Sequence, residues 1–153
     1  MNSLNPPATH IHLLFQSLGG SVGDGICLYN FFQALTIDLT LYNVGAVQSI
    51  ATIAYLGAKK RKTSAYAVFG LHRTHSSPQF ATASRLQAAT ELMTIDDKRT
   101  EAILRKHLRL TDKHWSQLNL IELALTGEEA VSVGLADEVA EFSPPKGAKI
   151  YAL

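Results

Sequence analysis

VGAVQSIATIAYLGA, residues 44–58, is almost wholly small or apolar, yet Gln48 and Ser49 interrupt it near its middle. LTLYNVG (39–45), which leads into it, reads as a strand. From Ser49 to Leu56 the residues are small and apolar, which predicts a short buried helix ending near Gly57. A strand that turns into a buried helix at a serine has two chemical readings. The serine caps the helix, or it is a nucleophile. A nucleophilic serine needs a base for its proton and N–H donors for an oxyanion, and a helix start favours negative charge. The N–H of Ile50 supplies one donor. A second requires another backbone segment to come close, which glycine allows. LGGSVGDG (18–25) is the candidate for that approach.

Outward from this centre the chain alternates. IHLLFQS (11–17) predicts a buried strand ahead of the glycine-rich turn. Val22, Ile26, Tyr29 and Phe32 fall near one face of a helix running from Val22 to Leu35. SAYAVFGLH (64–72) is strand-like. A long helix is predicted from about Ser77 to Leu108, with Leu86, Ala89, Leu92 and Met93 on one face and Ile103 and Leu104 continuing it. Thr111 and Asp112 open a short helix. Thr126 and Glu129 form a capping box for another, which ends at Gly134, and LADEVAEF (135–142) is the last strand. Asn5, Pro6 and Pro7 are an extended lead-in; the Pro-Pro-Lys-Gly segment near the end is a loop followed by a mobile tail. Strands alternating with helices predict a single α/β domain with a largely parallel sheet.

Composition narrows the function classes. The chain has 153 residues, 46% apolar and 18% charged, with a net charge of +1. Such a balance provides no field for nucleic acid or an anionic membrane. Lys59, Lys60, Arg61 and Lys62 are the one basic cluster and are predicted to be a solvated turn. Cys27 is the sole cysteine, so no intrachain disulfide forms and a reducing, cytoplasmic setting is expected. The start MNSLNPPATH has no signal-peptide pattern, and no apolar run is long enough to span a bilayer. GGSVGDG lacks the Lys-Ser/Thr pair of a phosphate loop and the Rossmann spacing, so no nucleotide or other cofactor is expected. Among the six histidines, His10 and His12 are predicted to be on the surface, and His107 and His114 to be solvated. His72 and His75 lie where a strand runs out into a polar loop, the place where α/β folds put chemistry. No Cys, Asp or Glu at ligand spacing joins this pair, which argues against a metal.

Four segments, in order, resemble one family. QSLGGSV resembles the N-S-P-G-G-S-V segment of the Clp peptidase proteolytic subunit. VGAVQSIA resembles its G-x-x-A-S-M-G segment, FGLH its M-I-H-Q-P segment, and LALTGEEAVSVGLADEV its F-L-S-A-x-E-A-V-x-Y-G-L-V-D-x-I segment. The last is shared with the crotonase relatives. This resemblance covers about residues 11–138. It implies a Clp/crotonase-like spiral of ββα units with a protruding handle helix (about 77–110) through which two rings meet. It further implies a serine endopeptidase acting on unfolded peptides inside a homo-oligomeric chamber. Ser49 would be the nucleophile, His72 the base, and the N–H groups of Gly20 and Ile50 the oxyanion hole. The triad acid falls on Glu122, where the family has aspartate, with Asp112 as the fallback.

The departures from the family pattern are Leu18 for proline, Gln48 for a small residue, Ala51 for glycine, one residue fewer near Leu56 and Gly57, and a shorter loop after His72. The family docks an ATPase chaperone partly through an N-terminal segment without a counterpart here, so the expectation is against such docking. Two alternatives stay open: a non-catalytic Clp-like subunit, and a crotonase-like acyl-CoA enzyme.

Overall fold

The computed structural model describes residues 9–77, 79–144 and 146–151. In chain order these form β1 (His10–Ser17), α1 (Val22–Ala34), β2 (Asp38–Gln48), α2 (Ile50–Tyr55), β3 (Lys60–Thr63) and β4 (Val68–His72). There follow α3 (Ala83–His107), α4 (Asp112–Leu120), β5 (Glu122–Thr126), α5 (Gly127–Val133) and β6 (Glu138–Val139). β2 is the spine of the sheet. β1 runs parallel along one edge; β3 and β4 pair parallel with successive parts of the other, at residues 40–43 and 46–48. β6 extends β3 in parallel, and β5 closes the far edge antiparallel to β4. The predicted α/β class with a mostly parallel sheet is what the chain adopts.

The core follows from the apolar runs. Leu39, Leu41, Tyr42 and Val47 of β2 are buried, as are Phe69 and Leu71 of β4 and Leu123 and Leu125 of β5. α2 is buried along its whole length, which its small and apolar composition permits. The Thr52 hydroxyl within it bonds to the carbonyls of Val47 and Gly70, each at 3.4 Å. α1 crosses α2 at Gly25, where a side-chain carbon would collide with Ile50. Tyr55 is buried with its hydroxyl donating to the Lys62 carbonyl at 2.6 Å, and this burial pushes its phenol well above the ordinary range. The capping box of α5 forms as its sequence predicts, and Gly134 ends that helix in the left-handed conformation.

Several boundaries differ from expectation. The basic cluster is not a turn: Lys60, Arg61 and Lys62 lie in β3. Arg61 donates to the carbonyls of Leu135, Gly134 and Ala58 and pairs with Asp137 at 3.1 Å, so its charge is consumed inside the fold. β4 begins only at Val68, because residues 64–67 turn, with the Ala67 N–H donating to the Ser64 carbonyl. α3 starts at Ala83, after an N-cap bond from the Arg85 N–H to Thr82 rather than near Ser77. The last strand is only two residues long. β5 went unpredicted, and β1 is half-buried rather than buried. Residues 5–7 of the lead-in, Pro145 of the final loop and the last two residues of the tail lie outside the described residues. No described helix is long and apolar enough to cross a membrane.

Neither His107 nor His114 is simply solvated. His114 completes a capping box with Thr111 at the start of α4. His107 Nε2 meets the Tyr29 hydroxyl at 2.9 Å, tying α3 to α1. Burial lowers the His107 pKa from its ordinary 6.5, and the Arg61 and Lys106 charges lower it further. A histidine depressed in the folded state binds its proton more readily when unfolded. Its contribution is therefore complete above about pH 6.5 and is lost as pH falls through the depressed value. A melting series from pH 7.5 to 5 is expected to fall less steeply in His107→Gln than in the parent, by at most a few degrees because the group is only part-buried.

Candidate active site

Ser49 stands between β2 and α2 with φ 55° and ψ −134°. This region is sparsely populated for any residue with a side chain and costs about 1–3 kcal/mol. A capping serine sits in extended backbone and accepts a helix N–H through its hydroxyl; Ser49 does neither. The turn is held from behind, its N–H donating to the Gly70 carbonyl at 2.7 Å. Thr52 reaches the same carbonyl. Sharp strand-to-helix turns of this kind present a serine hydroxyl at the surface of an α/β sheet.

The glycine-rich turn comes close, as predicted. A methyl group on Gly19 would lie 2.6 Å from Ser49 Cβ and 3.1 Å from its hydroxyl oxygen, and the φ of Gly19 is +103°. Gly20 follows in open space. Ser49 and His72 line one cleft, together with Leu71, Thr74, Thr100 and Leu104 among others. It measures about 40 Å3, room for a few waters. A larger hollow of about 190 Å3 opens on the other flank of Ile50, between Gly19, Gly20, Gly25 and Ala51. No hydrogen bond joins Ser49 to His72 among the described residues. In unliganded sites such bonds are often long and tighten only with substrate.

Glu122 is exposed and pairs in register with His72 across β4 and β5. Its carboxylate lies over Gly70, beside Gln48, and makes no described hydrogen bond to the imidazole. Asp112 is exposed in the first turn of α4 and does not line the cleft. The His75 ring lies beside that of His72, tilted by 42° with centroids 4.9 Å apart, and the described residues hold no cluster with the makings of a metal site.

The residues that hold His72 in place were not singled out from sequence. Its Nδ1 donates to the Arg73 carbonyl at 2.7 Å. The Arg73 side chain is pinned by Glu101 at 2.7 Å and by Asn119 at 2.6 and 2.9 Å. Hydrogen bonds from Arg73 and Arg105 hold the Glu101 carboxyl below its usual range. The Thr74 N–H donates to Asp97 at 2.8 Å. The available signal was an arginine directly after a strand-end histidine, facing an acid-rich helix.

Comparison with known proteins gives a consistent result. The family model described as Clp protease matches residues 2–143. A curated relative, the ATP-dependent Clp protease proteolytic subunit 4 of Rhodococcus jostii (strain RHA1), is 29% identical over 129 residues. That alignment covers 83% of this chain and 66% of the relative, so the chain spans just under two thirds of that protein's length.

Proposed function

Since the chain belongs to the Clp protease family, we propose that it is a serine peptidase acting on unfolded peptides within an oligomeric chamber. His72 Nε2 takes the proton of Ser49 Oγ as the oxygen attacks the scissile carbonyl. The N–H groups of Gly20 and Ile50 receive the oxyanion. His72 returns the proton to the leaving amine, and water repeats the sequence on the acyl-enzyme. The observation that carries this reading is the strained backbone of Ser49, which serves no capping bond. Strain of this size persists where the surroundings enforce it, and it clusters at reactive residues. The chamber is supported by α3, whose Leu86, Leu92 and Ile95 are exposed, an apolar set suited to subunit contact. The relative's name makes it a proteolytic subunit; by the same reading this chain is one.

The experiment is hydrolysis of a fluorogenic peptide by the pure protein and by Ser49→Ala. Turnover that disappears in the variant supports the reading, and cleavage that survives it refutes the assignment. The absent Ser49–His72 bond and the narrow cleft favour a second reading, a non-catalytic subunit. Robust turnover by the pure protein excludes it.

A further inference from the structure

Two hydrogen bonds meet on one peptide unit beside the base. The Arg73 carbonyl accepts from His72 Nδ1 at 2.7 Å, and the N–H of the same peptide, on Thr74, donates to Asp97 Oδ1 at 2.8 Å. No cis peptide occurs among the described residues, so this C=O and N–H point in opposite directions. Carboxylate, peptide and imidazole therefore form one continuous relay. Its position is fixed laterally by the Arg73 side chain on Glu101 and Asn119. Glu122 lies directly opposite His72 and is not part of it.

We propose that Asp97, acting through the Arg73–Thr74 peptide, is the carboxylate that positions His72 in this chain, in place of Glu122. This rests on Ser49 and His72 being nucleophile and base. A carbonyl oxygen only accepts, so Nδ1 carries the proton and Nε2 keeps its lone pair for the serine. That is the tautomer a general base needs. An anion on the N–H end polarises the amide and raises the negative charge on its oxygen, which strengthens the bond to Nδ1. During attack the Ser49 proton moves to Nε2, the Nδ1 proton stays where it is, and Asp97 remains an anion. A carboxylate one peptide away steadies the resulting imidazolium less than one in direct contact.

The test is nitrogen NMR on the full chain with 15N-labelled histidine, the His72 signals being identified by their loss in His72→Gln. At pH 8 the expected pattern is a protonated Nδ1 with a downfield proton and an unprotonated Nε2. Glu122→Gln is expected to retain it; Asp97→Ala is expected to move the Nδ1 proton upfield, while unchanged His12 and His107 signals report an intact fold. In parallel, Asp97→Ala is expected to slow fluorophosphonate labelling of Ser49 about tenfold or more, with Asp97→Asn, which keeps the acceptor and loses the charge, in between. An Nδ1 signal lost in Glu122→Gln and kept in Asp97→Ala overturns the inference. Absence of labelling in the parent protein refutes the peptidase reading instead, and the NMR pattern still decides the relay.

Discussion

Ser49→Gly is expected to bring peptide hydrolysis to background and, at the same time, to raise the thermal midpoint. Removing a serine nucleophile costs about a millionfold in turnover. The gain in stability comes from the backbone. At φ 55° and ψ −134° a residue with a Cβ is strained by about 1–3 kcal/mol, and glycine is not. The extra freedom of glycine in the unfolded chain removes about 0.4–1 kcal/mol of that advantage. A net gain of about 1 kcal/mol raises the midpoint of a domain this size by about 2–4 °C. Ser49→Ala is the control: it loses the same activity but keeps the strain, so its midpoint is expected to stay near that of the parent. Differential scanning fluorimetry on the three proteins decides between a strained reactive turn and an ordinary one, for which the glycine variant melts lower.

Gly19→Ala has the second large effect. The new methyl would lie 2.6 Å from Ser49 Cβ and 3.1 Å from the Gln48 carbonyl oxygen, and neither belongs to a flexible chain end able to swing away. The backbone there has φ +103°, which alanine adopts only under strain. Overpacking and backbone strain each cost about 1–3 kcal/mol, so a loss of about 2–6 kcal/mol is expected by urea unfolding. The glycine turn relieves part of this by retreating from the serine and carrying the Gly20 N–H with it. Loss of one oxyanion donor costs about 100- to 1000-fold in turnover. A Gly19→Ala protein that melts and turns over like the parent contradicts the close approach.

The parts of the fold that were legible were those written in local pattern. α1 carried its apolar spacing, α2 its small apolar run ending near Gly57, and α5 its capping box and terminal Gly134, and each formed close to its expected limits. β3 was misread because charge dominates Lys60–Thr63. Its pairing with β2 and β6, and the carbonyls that absorb Arg61, are long-range facts that no window of sequence displays. β5 is short and follows a helix without a glycine or proline between them, so nothing local marked it. At the site, the nearness of Gly19 to Ser49 followed from the residues, because only glycine permits it. The strain at Ser49 and the relay behind His72 did not. Backbone angles are imposed by the sheet and α2, and Asp97 reaches the Thr74 N–H from a helix more than twenty positions along the chain.

An activated Ser49 nucleophile served by His72 is expected to react with a fluorophosphonate probe, and peptide mass spectrometry of the pure protein locates the adduct. The expected result is a single adduct on the peptide containing Ser49, absent in His72→Ala. A folded, oligomeric sample that takes up no probe, or takes it up elsewhere, shows that Ser49 is not an activated nucleophile.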